Sequence, residues 1–262
     1  MIDNQCDITI MGGREVSRPY WVWFFAEGER FLSFRAMPQS HRPNFLTPSP
    51  NLPSRVFLLH LHVIEGDKKM KILILNASPR IGGNIATMLQ VIQHECEAQG
   101  AEVECVRVQD LSVRPCMACM KCRSSLKCVL PADDAQRVLA LIQECDALVV
   151  GAPCYWGNMP GTLKLLFDRI VYGMMGENSL AVPKPLHKGK RCVIVTASST
   201  MWPFNILANQ TRGVVRALKE ILGWSGFKTV KTIQKAGTFR HPQFTDRDRR
   251  KCLAAAKKLM KR

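Results

Sequence analysis

The chain has 262 residues, 47% of them hydrophobic and 22% charged, enough for one α/β domain with a real core and something left over. No apolar run is long enough to span a bilayer, and the opening MIDNQCD lacks the basic start and apolar middle of a secretory signal, so a cytoplasmic location is expected. A formal net charge of +16, nearly all of it after Met70, suits a phosphorylated nucleotide or an acidic protein partner; with no basic stripe interleaved with aromatics and no helix-turn-helix or finger spacing, nucleic acid is not the expected ligand.

Residues 1–69 do not read like the rest. They hold six of the fifteen prolines, and the strand-like runs Tyr20 to Phe25 and Val56 to Ile64 are separated by Pro-rich sequence from Pro38 to Pro53. The codons for Glu65-Gly66-Asp67-Lys68-Lys69 can spell a purine-rich ribosome-binding sequence just ahead of Met70. We therefore expect an N-terminal extension that is upstream translation or disordered, with synthesis starting at Met70; a small extra domain is the alternative.

From Met70 the text changes. MKILILNASPRIGGN, Met70 to Asn84, reads as a short apolar strand, a turn of small residues and a helix start. In such a unit the loop N–H groups and the positive helix end point at one spot, which suits a phosphate. Ser78 offers a hydroxyl, Arg80 a guanidinium and Asn84 an amide at the expected N-cap, while Gly82 and Gly83 permit a tight turn. An ordinary capped βα turn is the competing reading. Ile85, Met88, Leu89, Ile92 and Cys96 then mark an amphipathic helix ending at Gly100, and Val103 to Val108 alternates as a second strand.

Cys116, Cys119, Cys122 and Cys128 form a C-x2-C-x2-C-x5-C array. In a reducing compartment such clustering points to metal or redox chemistry rather than to disulfides. Cys96, Cys105, Cys145, Cys192 and Cys252 lie in apolar patterns and are expected to be buried. Asp133 and Asp134 open a helix carrying Val138, Leu139, Leu141 and Ile142, and ALVVG at Ala147 to Gly151 must be buried on both faces, as in a parallel sheet.

A loop and a helix started by Pro160 follow, with Asp168 and Arg169 expected to hold that helix by a salt bridge. Arg191 to Ala197 is a fourth strand, Asn205 to Leu222 one long helix, and Phe227 to Lys235 an edge strand guarded by Lys228, Lys231 and Lys235. Arg247 to Arg262 carries Leu253, Ala254, Ala256, Leu259 and Met260 at helical spacing, so a docked helix with a basic face is expected. Five strands alternating with helices imply a doubly wound parallel sheet whose ligand site lies beyond the strand C-termini, where the loops after Ala77, Ala152 and Ala197 would meet.

Those loops carry a family resemblance. Ala77-Ser78-Pro79-Arg80 and Gly83-Asn84-Ile85, Pro153-Cys154-Tyr155-Trp156-Gly157-Asn158-Met159-Pro160-Gly161, Lys164 and Asp168-Arg169 resemble the motifs of the flavodoxin-like NAD(P)H-dependent FMN reductases. The cysteine array is similar to that of their iron-sulfur flavoproteins. The resemblance covers Met70 to Arg262 and leaves residues 1–69 unmatched. It implies a flavodoxin-like five-stranded sheet binding FMN through Ser78, Arg80, Gly83, Asn84, Ile85, Ala86, Pro153, Cys154, Tyr155, Trp156, Gly157, Asn158, Ala197 and Ser198. Ile85 departs from the family's threonine and removes one hydroxyl donor, leaving the N–H groups of Ile85 and Ala86. Cys154 is read as a small apolar filler.

The resemblance further implies hydride transfer from NAD(P)H to the flavin and on to a quinone, free flavin or other small oxidant. It also implies a 4Fe-4S cluster on Cys116, Cys119, Cys122 and Cys128, with tetrahedral zinc or an idle loop as alternatives, and a homodimer or homotetramer. Two other functions remain open: an electron carrier working only with ferredoxin, and a redox-sensing protein that contacts nucleic acid. No histidine needs a catalytic role; His241 is expected at the surface, with the flavin edge as the alternative.

Overall fold

Strand β1, Lys71–Asn76, is apolar on both sides because both sides are covered, and five of its six residues are buried. It pairs in parallel with β2, Glu102–Arg107, on one side and with β3, Ala147–Pro153, on the other. Strand β6, Arg191–Ala197, lies against β3, and β7, Lys228–Lys235, lies beyond it, giving the order β2-β1-β3-β6-β7. A short antiparallel pair, β4 at Met175–Glu177 with β5 at Pro183–Pro185, stands apart from this sheet and has no sequence signal of its own. The computed structural model describes residues 69–177 and 182–261, all within one compact unit, so the expectations for residues 1–68 lie outside the described residues.

The helices divide between the faces as the strand alternation requires. Ile72 and Ile74 join Val149 and Val195 beneath helices α1, Asn84–Ala98, and α8, Asp246–Met260. Leu73 and Leu75 join Leu148, Val150 and Ile194 beneath α3, Asp134–Glu144, α4, Gly161–Arg169, α5, Val171–Met174, and α7, Gln210–Ser225. Two further short helices, α2 at Cys122–Ser125 and α6 at Phe204–Leu207, belong to loops. The chain steps outward from β1 to β2, jumps back across β1 to β3 and then continues outward the other way. This is the flavodoxin-like order, and its reversal opens a crevice between the C-terminal ends of β1 and β3. No helix among the described residues is long and apolar enough to cross a membrane.

Several expectations are corrected. The single helix from Asn205 breaks in two, because Asn209 takes a left-handed conformation at φ 51° and restarts the chain as α7. In α8 Ala256 and Leu259 are buried and Met260 packs beside them as expected, but Cys252 and Ala255 complete the buried stripe, while Leu253 is only half-buried and Ala254 faces solvent. Lys235 is not an exposed guard of the edge: it is buried and ion-paired with Asp248, the last residue of the Thr245–Asp248 capping box on α8. Cys105 is exposed, since β2 is the other edge of the sheet and shows one face to solvent.

Candidate functional site

Three loops gather at the C-terminal edge because each strand hands its ladder to the next loop. The Ala77 N–H donates to the Gly151 carbonyl at 2.8 Å, Cys154 to Ala197 at 2.9 Å, and Ser198 to Lys235 at 2.9 Å. The loop after β1 is shaped from within. Asn76, the polar residue that ends the apolar strand, accepts from the Ser78 N–H at 3.0 Å, and Ser78 Oγ accepts from the Arg80 N–H at 3.3 Å. Ser78 is buried, whereas Arg80 is exposed.

The N-terminus of α1 differs from those of α3 and α8. Those two helices each begin with a capping box and carry acidic residues in the first turn; α1 has neither a side-chain cap nor an acidic residue there. Its positive dipole end and first N–H groups are therefore open to an anion. Gly83, not Asn84, is the cap residue, and a Cβ there would lie 2.9 Å from Arg80 Cβ, so the loop closes only around glycine. Asn84 sits one position inside the helix, its Oδ1 buried and without a partner among the described residues. Ile85 and Ala86 turn their side chains into the core and leave only their N–H groups for a ligand.

The loop after β3 is a two-residue hairpin. Tyr155 and Asn158 exchange backbone hydrogen bonds of 2.9 Å, with Trp156 at φ 53° and Gly157 at φ 72°, the double left-handed geometry of a type I′ turn. A bulky residue rarely adopts that conformation. Here it places the Trp156 ring fully in solvent, with Tyr155 exposed beside it. Asn158 Oδ1 accepts from the Met159 N–H at 2.8 Å and fixes the exit into α4. Cys154 is half-buried, its Sγ 3.5 Å from Gln210 Oε1; burial pushes its thiol up, partly opposed by the Gly157 N–H. That favours the neutral thiol, in keeping with a filler rather than a nucleophile.

The third loop is tied to the segment after β7. Ala197 and Ser198 are buried, and the Ser198 carbonyl accepts from both the Thr238 N–H at 3.1 Å and Thr238 Oγ1 at 3.2 Å. Helix α7 approaches the second loop backbone to backbone: a Cβ on Gly213 would fall 1.8 Å from the Gly157 carbonyl oxygen. His241 is exposed, and its N–H donates to the Gly237 carbonyl at 2.9 Å. Sequence reasoning missed Gln109, which bridges the Ala77 carbonyl at 3.4 Å and Thr162 Oγ1 at 3.0 Å and so braces the first loop against α4. No local pattern marks it. Asn76 was visible as the one polar residue closing an apolar strand.

The cysteine loop lies on the α4 side. Cys116 and Cys119 are exposed, Cys122 and Cys128 half-buried, and Ala118, Met120 and Leu126 bend the loop with left-handed backbones. Burial raises the Cys122 thiol, and Cys116, Cys128 and Cys119 raise it further, so the four sulfurs lie within electrostatic reach of one another. Among the described residues no three His, Cys, Asp or Glu side chains converge closely enough to ligate a single ion. The donor set nonetheless fits a thiolate-ligated cluster in kind and number.

Arg169 corrects the expected Asp168–Arg169 bridge. Asp168 pairs with Lys164 one turn back, whereas Arg169 is buried and reaches the cysteine loop, donating to Cys128 Sγ, to the Pro131 carbonyl at 3.2 Å and to Asp133 Oδ2 at 3.4 Å. Its position three residues after buried Leu166 placed it near the apolar face of α4, a signal that the adjacent acidic residue masked.

Comparison with known proteins identifies the family and the fold. Residues 70–236 match the family described as NADPH-dependent FMN reductase. An iron-sulfur flavoprotein of Archaeoglobus fulgidus is 31% identical over 178 residues, covering 62% of this chain and 86% of that protein. An iron-sulfur flavoprotein of Methanosarcina thermophila is 36% identical over 102 residues, 39% of this chain and 53% of its own length. Among solved structures, an FMN-dependent NADH-azoreductase of Bacillus anthracis in complex with FMN superimposes with a TM-score of 0.56 at 15% identity, covering 73% of this chain and 100% of that one, which is a likeness of fold.

Proposed function

The chain belongs to the NADPH-dependent FMN reductase family and is thereby an NAD(P)H-dependent flavin oxidoreductase, and we propose that it passes the electrons it takes from the nicotinamide to a quinone, free flavin or other small oxidant, with a 4Fe-4S cluster on the cysteine loop as a second carrier. The observation that carries this reading is the open N-terminus of α1, which follows the loop after β1 at the crevice between β1 and β3 and carries neither a side-chain cap nor an acidic residue in its first turn. Ser78, Gly83 and the N–H groups of Asn84, Ile85 and Ala86 would hold the FMN phosphate, with the exposed Arg80 closing over it and the unpartnered Asn84 amide beside it. Pro153, Cys154, Gly157 and Asn158 would border the ring on one side and Ala197 and Ser198 on the other. Tyr155 and Trp156, already in solvent, are free to cover a ring face.

The chemistry that FMN supplies is hydride acceptance at N5 and release of electrons singly or in pairs. The chain's own part is to bind, orient and shield. Backbone N–H groups of the second loop can stabilise negative charge on a reduced ring, and no protein acid or base is required. The exposed rim of Trp156, Trp202, Phe204 and Leu207 around this edge supports a second copy packing there, as a homodimer or homotetramer.

Cys116, Cys119, Cys122 and Cys128 would hold the cluster, which supplies one-electron acceptance. Tetrahedral zinc on the same four thiolates is the alternative; as the loop stands, no three of these side chains converge on one point for either group. A second reading, an electron carrier that exchanges electrons with ferredoxin and does not oxidise NAD(P)H itself, is favoured by the net charge of +16, which would dock an acidic partner.

The test is the visible spectrum of protein purified without oxygen, with iron, sulfide and NAD(P)H oxidation assayed on the same sample. Flavin bands with a broad shoulder, about four irons per chain and NAD(P)H oxidation with a quinone are expected. Flavin without iron removes the cluster; flavin without NAD(P)H oxidation but with rapid reduction by ferredoxin favours the carrier; absence of flavin overturns the reading.

A further inference from the structure

Arg169 has no part in the flavin site, yet it is among the most thoroughly buried side chains of the protein, with 0% of its side chain exposed. Taking a guanidinium out of water costs several kcal/mol unless strong acceptors surround it. The acceptors present are modest. Asp133 Oδ2 stands at 3.4 Å and is shared with the Arg114 N–H at 3.1 Å, while Asp133 Oδ1 caps α3 through the Ala135 N–H at 2.9 Å. The Pro131 carbonyl is neutral, and Arg169 Nε has no hydrogen-bond partner among the described residues. The remaining contact is Nη1–H onto Cys128 Sγ.

A neutral thiol is a weak acceptor and a poor match for a desolvated cation. A cysteinate is a strong one, and a cysteinate bound to an anionic cluster stays charged whatever the pH. The other cations of the loop, Arg114, Lys121, Arg123 and Lys127, are all exposed and screened by solvent and salt, so Arg169 is the one positive charge there that acts through a low-dielectric path.

We propose that Arg169 is a positioning residue for the cysteine-loop cluster: its Nη1–H donates to the Cys128 cysteinate, and its buried charge sets the cluster's reduction potential by stabilising the more negative, reduced state. The proposal rests on the cluster reading above. Hydrogen bonds to cluster sulfurs and nearby charge are among the factors that fix such potentials. Arg169 closes the C-terminal turn of α4, whose other end leaves the second loop, so one helix anchors both cofactor regions.

The experiment is a redox titration of the oxygen-free holoprotein, following the cluster by electron paramagnetic resonance and the flavin by absorbance, in wild type, Arg169→Met, Arg169→Lys and, as an exposed-charge control, Lys127→Gln. Expected is a cluster midpoint moved to more negative potential in Arg169→Met and by a smaller amount in Arg169→Lys, with the flavin midpoint unmoved and Lys127→Gln close to wild type. Should Arg169→Met lose its iron, Arg169→Lys decides. An iron-loaded Arg169 variant with the wild-type midpoint and signal overturns the assignment, as does loss of iron from both variants with fold and flavin retained, which would make Arg169 an anchor only. Wild-type protein that binds flavin but no iron overturns the cluster reading itself, and this assignment with it.

Discussion

At Trp156 backbone and side chain are set against each other. The left-handed conformation costs a non-glycine residue about 1–2 kcal/mol, and the ring recovers none of it by packing, being fully exposed. Asparagine tolerates that conformation. Trp156→Asn should therefore raise the melting temperature of the flavin-free protein while weakening flavin binding roughly fivefold, about 1 kcal/mol of lost ring contact, measured by fluorescence titration. The reverse pattern would show that the indole packs on the protein rather than on a ligand. A second expectation concerns the thiols. Burial pushes Cys96 and Cys252 up to about 12 and Cys145 and Cys192 up to about 11, so at pH 8 they are protonated as well as enclosed. Peptide mapping after native alkylation should find these four unlabelled and Cys116 and Cys119 labelled in metal-free protein; rapid labelling of Cys96 would contradict the buried face of α1.

Elements meet the site through backbone contacts as much as through side chains. Helix α7 can lie against the second loop only because Gly213 presents no Cβ to the Gly157 carbonyl. Gly213→Ala must push the two apart, at about 1–3 kcal/mol of strain, and should lower flavin affinity tenfold or more while leaving the cysteine loop intact. Unchanged affinity would mean that the loop position does not matter to the ligand. On the opposite face, α8 is pinned by the Lys235–Asp248 pair. Burial alone would raise the Asp248 carboxyl, but hydrogen bonds from Lys235 and Thr245 outweigh it and hold the carboxyl below its usual value. The native state therefore binds fewer protons there than the unfolded chain. This contribution is complete above about pH 4 and disappears as pH falls through the lowered native value. Lys235→Met, which strands the carboxylate, should cost about 3–5 kcal/mol in urea unfolding at pH 7 and much less near pH 3; an equal loss at both would assign the effect to packing.

For the molecule as a whole, the strand order places the first and second loops on either side of the switch point, and the chain carries a formal charge of +16 that would attract an acidic partner at long range. If an acidic ferredoxin is a partner, its second-order rate of electron exchange should fall steeply between low and physiological ionic strength, whereas oxidation by a neutral quinone should change little. Stopped-flow traces at two salt concentrations would separate the cases. A flat response to salt with ferredoxin would leave the charge without that role.

Much of this was legible along the chain, because the signals were local. Buried strands such as Ile72 to Leu75 and Ala147 to Gly151 are apolar runs bounded by turn residues, and the loops after them carry compact motifs. The same holds for the spacing of the four cysteines. What failed was whatever depends on a partner distant in sequence. Lys235 reads as a surface lysine until α8 brings Asp248 to it, and Arg169 reads as the neighbour of Asp168 until α4 packs beside Cys128 and Asp133. Gln109 braces the first loop from 32 residues away without any pattern of its own. The break at Asn209 was likewise invisible, since a left-handed residue in an otherwise helical stretch follows from how α7 must meet the second loop. Periodicity and turn chemistry specify the elements; which charges are buried, and against what, is decided only when the elements pack.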